Sequence, residues 1–247
     1  MIDRALVERV DLLCLDAGNT VIFLDHARIA RFLQSRGVDV EVDALVKAEG
    51  SAKRGLAGDG SGEIAAFEWA HAHEPGGAEW GKVMGTIMAL GARVPRERVP
   101  DLLAELWAEH HRFNLYSRIP EGLPAAVTRL RAAGVKVAII SNSEGHLAAL
   151  FEELGILDCF DRVVDSSVVG VAKPDPRIFS FATEAFGIPS ERALHLGDTF
   201  ATDVAGARAA GIRTALIDPF LHYPGLYPDV PRVDSVIQAA NALLALR

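Results

Sequence analysis

Short apolar runs, each closed by a polar or turn residue, recur along this chain and alternate with helical stretches. The runs are residues 12–15 before Asp16, 135–140 before Ser141, 163–164, 193–196 before Gly197-Asp198, and 214–217 before Asp218-Pro219. A brief, wholly apolar run bounded by turn residues reads as a strand buried on both faces. Between the runs, residues 124–133, 146–154, 176–186 and 202–210 carry helical patterning. They stop at Gly134, Gly155, Gly187 and Gly211, where glycine adopts the positive φ of a helix end at little cost. Buried strands alternating with amphipathic helices specify an α/β fold with a parallel sheet covered on both faces. In such sheets ligands bind beyond the carboxyl ends of the strands. Asp16, Ser141 and Asp198 all follow strands at that end.

The stretch 23–117 has a different character. Residues 27–34 and 102–111 are helical in pattern, and no repeated buried strand occurs. A glycine-rich segment, 55–62, and Glu74-Pro75-Gly76-Gly77 interrupt it. We read residues 1–22 and 118–247 as one core and 23–117 as an inserted helical domain over the strand ends, with a last helix from about Ser235. Lys53 and Arg54 fall beside the glycine-rich segment and read as a solvated loop, His195 as a core histidine, and Trp69, Trp80 and Trp107 as packing within the insertion.

The formal net charge of −8 argues against nucleic-acid binding, which needs clustered Lys and Arg. Only two cysteines are present, Cys14 and Cys159, without CxxC spacing, so neither a disulfide framework nor a zinc site is expected. The charged first nine residues lack the apolar core of a signal peptide, and no stretch has the length of a membrane span. We expect a cytoplasmic protein that binds no membrane; its oligomeric state is not legible.

The polar residues at the strand ends form a chemical set. Phosphoryl transfer needs a nucleophile, a metal, a cradle for phosphoryl oxygens and a cation. Asp16 is the candidate nucleophile, since a carboxylate can attack phosphorus to give an aspartyl phosphate. Asp198 and Asp203 flank a turn at the start of a helix, and hard carboxylate oxygens suit Mg2+. Ser141 can donate to a phosphoryl oxygen, as can backbone N–H groups after its strand. Lys173, in Ala172-Lys173-Pro174-Asp175-Pro176, can keep the nucleophile ionised and offset transferring charge.

Four motifs in order resemble the haloacid dehalogenase-like (HAD) superfamily: Asp16-Ala17-Gly18-Asn19-Thr20, Ser141-Asn142, Lys173-Pro174-Asp175-Pro176, and Gly197-Asp198-Thr199-Phe200-Ala201-Thr202-Asp203. The resemblance spans essentially the whole chain. It implies a Rossmann-like core with a helical cap, a small phosphorylated substrate and Mg2+ as cofactor. It further implies that Asp16 is the nucleophile and Lys173 the charge-neutralising cation, with Ser141, Asn142 and Thr20 as substrate-binding residues. Asp16, Asp198 and the Gly18 carbonyl would hold the metal, with Asp203 as a ligand or directly behind the ligands.

One position departs from the pattern. Phosphatases of that superfamily usually carry a second aspartate two residues after the nucleophile, as general acid–base; here it is Gly18. Asp25 or His26 could act in its place. The alternatives this opens are a phosphonatase-like hydrolase, with Lys53 or Lys47 forming a Schiff base, and a phosphate-ligand-binding or regulatory protein with weak turnover. A haloacid dehalogenase ranks lower, because those enzymes lack the metal aspartate that Asp198 supplies.

Overall fold

The computed structural model describes residues 2–58, 60–74 and 76–247. Asp59 and Pro75, inside the two interruptions read from the sequence, lie outside the described residues. Helix α1 (Arg4–Val7) leads into β1 (Leu12–Leu15). Strand β2 (Phe23–Leu24) precedes α2 (His26–Gln34), α3 (Val42–Ala57), α4 (Gly77–Thr86), which runs into a π-helical turn Ile87–Gly91, and α5 (Val99–Arg112). After β3 (Tyr116–Arg118) come α6 (Leu123–Ala132), β4 (Lys136–Ser141), α7 (Leu147–Glu153), β5 (Arg162–Asp165), α8 (Ser166–Val169) and α9 (Arg177–Phe186). Strand β6 (Ala193–Gly197) is followed by a π-helical turn, Phe200–Val204, that runs into α10 (Ala205–Ala209). Strands β7 (Arg213–Ile217) and β8 (Arg232–Val233) and helix α11 (Val236–Leu244) complete the chain.

Six strands form one sheet in the order β5-β4-β1-β6-β7-β8, with parallel pairing throughout. Strand β1 sits mid-sheet, with Cys14 facing Ala138 of β4 on one side and His195 of β6 on the other. Every residue of β1 and β6 is buried, as expected for strands with helices on both faces. The amphipathic side of α9, Ile178, Phe179 and Ala182, packs with Leu12, Cys14, Ala138 and Ile140 on one face of the sheet. The register Leu15↔Ile139, Leu15↔Leu196 and Ser141↔Asp165 brings the ends of β1, β4, β5 and β6 to one edge.

The chain divides into two compact units. The sheet unit comprises the chain up to Phe23, Arg118–Pro219 and Tyr227–Arg247. The helical unit comprises Leu24–Ser117 together with Phe220–Leu226. Strands β2 and β3, where the chain passes from one unit to the other, pair as a separate two-stranded ribbon.

In the helical unit Leu24, Ile29, Leu33, Leu45, Met84, Ile87, Leu103 and Leu106 form one core. The tryptophans do pack there: the Trp80 and Trp107 rings lie 4.6 Å apart, and Trp69 stacks on Trp80 at 5.9 Å. Expectation and structure differ at residues 55–62. Helix α3 does not stop at the first glycine but continues to Ala57, and Gly58 (φ 72°) caps it. Lys53 and Arg54 are therefore on a helix and not in a solvated loop. Lys53 is buried, 3.5 Å from Glu49, and Arg54 donates to the carbonyls of Ser61 and His222. Glu49 also accepts from His26 Nε2 at 2.8 Å. No helix among the described residues is long and apolar enough to cross a membrane.

Candidate active site

Asp16 follows β1 and its N–H donates to the Leu196 carbonyl of β6, which continues the ladder one residue past the strand. The chain then turns tightly: the N–H groups of Val21 and Ile22 both donate to the Ala17 carbonyl, at 2.9 and 3.0 Å. Asn19 takes a positive φ of 53° within this turn, a conformation in which asparagine is tolerated better than most residues. Thr20 is buried, and its hydroxyl has no hydrogen-bond partner. Gly18 bridges to Ile22 and offers no side chain.

Lys173 joins the carboxylates. Its Nζ donates to Asp16 Oδ1 and to Asp203 Oδ1, both at 2.6 Å, with all three side chains buried. Asn142 holds the lysine backbone from the next strand end. Its Nδ2 donates to the Lys173 carbonyl at 2.9 Å, and its Oδ1 accepts the Lys173 N–H at 2.7 Å. The Asn142 amide thus supports the lysine, while Ser141 is buried at the end of β4. The Lys173–Pro174 peptide is cis.

After β6 the chain was expected to enter one helix at 202–210. It forms the π-helical turn first. The Thr199 carbonyl accepts the Val204 N–H, five residues on, at 3.4 Å as well as the Asp203 N–H at 2.9 Å, and the five-residue bond widens the first turn. The Asp203 carboxylate in return accepts the Thr199 N–H at 3.0 Å. Gly197 makes room for this: a Cβ there would lie 2.2 Å from Asp203 Cγ. Asp203 Oδ1 takes one more donor, His195 Nε2, at 2.9 Å. Asp198 is buried beside them and accepts from the Thr199 hydroxyl at 3.3 Å.

Asp16, Asp198 and Asp203 each bring one carboxylate oxygen within 4.8 Å of the other two. Three carboxylates against the single ammonium of Lys173 leave two excess negative charges, the charge of one divalent cation. Burial drives the Asp16 carboxyl up to about 7. Lys173 opposes that shift, and the neighbouring Asp203 and Asp198 charges add to it. Asp203 moves the other way. Burial would raise it, but Lys173 and His195 hold it well below the usual carboxylate range. Burial alone would lower Lys173, and the Asp16 and Asp203 charges raise it instead, so it stays protonated. An all-oxygen donor set with this charge deficit fits Mg2+.

The structure thus brings Asp16, Lys173, Asp198 and Asp203 into one cluster, with Ser141, Asn142 and Thr20 on the adjoining strand-end segments. His195 and Thr199 were not foreseen as site residues. The available signal for His195 was a histidine in an otherwise apolar buried strand, since a buried polar group needs a partner. Lys53, one of the two lysines named for a phosphonatase-like Schiff base, is held in an ion pair with Glu49.

A parallel α/β sheet with a carboxylate–lysine cluster beyond its strand ends defines a hydrolase-type site, and comparison with known proteins gives its family. Residues 10–211 match the family model described as haloacid dehalogenase-like hydrolase, and the chain belongs to that family. It is 36% identical over 148 residues to the phosphoserine phosphatase of Thermus thermophilus, covering 59% of this chain and 55% of the relative. It is 38% identical over 109 residues to the pyrimidine 5'-nucleotidase YjjG of Escherichia coli, covering 42% of this chain and 48% of the relative. The chain spans about half the length of the curated relatives it matches. Among solved structures, the putative HAD-hydrolase YfnB of Bacillus subtilis is 18% identical with a TM-score of 0.59, covering 97% of this chain and 100% of that one. At that identity it shares the fold.

Proposed function

We propose that this chain is a Mg2+-dependent phosphate-monoester hydrolase of the cytoplasm. It acts on a small phosphorylated metabolite, and the helical segment 23–117 serves as its specificity-bearing cap. The observation that carries the reading is the buried Lys173 ammonium shared at 2.6 Å between Asp16 and Asp203 inside a carboxylate cluster two charges short of neutrality. Relatives named for phosphatase and nucleotidase activity support the same class.

The Asp16 and Asp198 carboxylates, the Gly18 carbonyl and Asp203 would hold Mg2+, which when bound neutralises charge on the phosphoryl oxygens. Asp16 attacks phosphorus, an Asp16–phosphorus bond forms, and the bond to the leaving oxygen breaks. Water then cleaves the aspartyl phosphate, releasing phosphate and regenerating the carboxylate. Lys173 holds Asp16 ionised and offsets charge on the transferring group. Ser141 and the buried Thr20 hydroxyl offer donors to the phosphoryl oxygens.

The test is phosphate release across phosphoesters, acyl phosphates and phosphonoacetaldehyde. Metal-dependent release should vanish with EDTA, return with Mg2+ and fall to background in Asp16→Asn. Release that persists in Asp16→Asn would sink the reading. Gly18 favours a second reading, a phosphate-ligand-binding protein with weak turnover, because no carboxylate stands two residues after Asp16 to protonate a leaving group. Tight binding of phosphate ligands without hydrolysis of any panel member would select it.

A further inference from the structure

Beyond the groups assigned above, one fully buried polar side chain touches the cluster and has no role yet. His195 lies in β6, between β1 and β7, with no exposure to solvent. Its Nε2 stands 2.9 Å from Asp203 Oδ1. A carboxylate can only accept, so Nε2 carries the hydrogen and donates. Phe179 of α9 meets the imidazole ring edge-on, with centroids 5.0 Å apart and planes at 84°, which fixes the ring's orientation. Asp203 Oδ1 accepts from Lys173 as well, and Oδ2 accepts the Thr199 N–H. Three of the roughly four acceptor positions of that carboxylate are thereby filled from three different directions. The chain of contacts runs His195, Asp203, Lys173, Asp16, each link at 2.9 Å or shorter.

We propose that His195 is a positioning residue for the reaction: by donating Nε2–H to Asp203 Oδ1, it fixes the carboxylate that aims the Lys173 ammonium at Asp16. Without this donor the carboxylate keeps only the Thr199 N–H on Oδ2 and the mobile Lys173 ammonium on Oδ1, and it gains freedom to rotate about its Cβ–Cγ bond. Lys173 then loses the second of its two anchors at the geometry that keeps it against the nucleophile. The side-chain hydrogen bond of His195 goes to Asp203, so its effect on Asp16 passes through Asp203 and Lys173. The consequence belongs to the chemical step and not to substrate binding.

This inference rests on the phosphatase reading, and the experiment keeps the two apart. His195→Leu preserves volume and removes the donor. His195→Gln keeps a neutral N–H at the reach of Nε2. Turnover of the best panel substrate should show kcat lowered about ten- to a hundredfold in His195→Leu, the worth of a hydrogen bond to a charged group. KM should be unchanged, and His195→Gln should recover most of the loss. In parallel, the Lys173 ammonium resonance, shielded from water by burial, is followed by NMR in each protein. It should be sharp in the wild type and His195→Gln and broadened in His195→Leu. Should His195→Leu not fold, His195→Asn, whose amide stops short of Asp203, replaces it. Unchanged kcat and an unchanged resonance in the donor-less variant would overturn the proposal. A wild type inert on the whole panel would sink the phosphatase reading alone, and the resonance would then decide the positioning role.

Discussion

At the scale of single residues, Gly18 sets the sharpest expectation. On the proposed phosphatase reading it occupies the position where a carboxylate would protonate the leaving group, and general acid–base groups contribute about 10²–10⁴-fold. Gly18 is not among the glycines with positive φ, so a side chain there meets no left-handed backbone strain. Gly18→Asp should therefore raise kcat on alkyl phosphates by a factor in that range and leave acyl phosphates, whose leaving groups need no proton, nearly unaffected. Equal effects on both substrate types would show that the new carboxylate does something other than proton transfer. The residues that were legible in the sequence share one property with Asp16. Asp16, Ser141 and Asp198 are polar groups at the ends of apolar runs, where the pattern itself breaks. His195 was not legible because it sits inside a run, and its partner Asp203 is brought to it only by the turn after β6. Asn142 was legible as a site residue, yet its hydrogen bonds to the Lys173 backbone depend on a loop crossing that no local pattern records.

Among the elements, α4 shows why helical pattern alone under-describes the inserted segment. Gly81 lies mid-helix, where glycine costs about 1 kcal/mol relative to alanine. The cost has a cause: a Cβ at Gly81 would lie 2.4 Å from Trp69 Cδ1 and Nε1. The Trp69 indole cannot easily step aside, because its Nε1 donates to the Gly77 carbonyl at 2.7 Å and its ring stacks on Trp80. Gly81→Ala thus sets a propensity gain of about 1 kcal/mol against overpacking of about 1–3 kcal/mol and a strained hydrogen bond. We expect net destabilisation of about 1–2 kcal/mol by urea unfolding. In a Trp69→Ala background the obstacle is gone, and the same Gly81→Ala change should stabilise by up to about 1 kcal/mol. Failure of the sign to reverse would mean that the glycine serves another contact. In the sheet unit β1 and β4–β7 and the helices α6, α7 and α9 were legible to within a residue or two, since burial on both faces leaves a largely apolar signature, whereas β8, two residues with exposed Arg232, was not. The continuation of α3 through residues 55–57 was not, because glycine carries little local helix signal and the chain at Gly62 packs back against this turn from outside the helix. A Cβ at Gly62 would meet the Ser51 carbonyl at 2.3 Å.

For the whole molecule, the buried charges predict that the two units respond differently to acid, and that the response of the sheet unit depends on metal. In the helical unit, Glu49 is wholly buried. Burial would raise it, but Lys53, His26 and His222 outweigh that and bring it down to about 2 from an ordinary 4.5. A carboxyl with a depressed folded pKa stabilises above its unfolded value, and the contribution is lost as pH falls from about 4.5 toward 2. His110 adds to this at higher pH. Burial first, then the His111 and Arg28 charges, lower it from 6.5 to about 4. The folded unit holds it neutral while the unfolded chain takes up a proton, so stability falls as pH drops from 6.5 toward 4. Each change costs the folded unit on the order of 3 kcal/mol once the pH has fallen below the folded pKa. In the metal-free sheet unit, Asp16 has the reverse sign. Its folded carboxyl is raised to about 7 from 3.8 and binds the proton that the unfolded chain has released, so it favours the fold as pH falls from 7 toward 4. Native-state hydrogen exchange, corrected for intrinsic rates and read separately for amides of α3 and α5 and for those of β1 and β6, resolves the two. Protection in α3 and α5 should fall between pH 6.5 and 4, and His110→Asn should flatten that slope while keeping an acceptor for the Leu115 N–H that His110 Nδ1 now takes. In β1 and β6 the Asp16 gain is set against His195, which burial holds below its ordinary 6.5 and which disfavours the fold as pH falls, so without metal the slope there should be shallower than in α3 and α5. With saturating Mg2+ the Asp16 gain should disappear and the slope should steepen, because a divalent cation among the carboxylates makes their ionised state the favoured one. A sheet response indifferent to Mg2+ would mean that the Asp16–Asp198–Asp203 cluster is not the site where the metal binds.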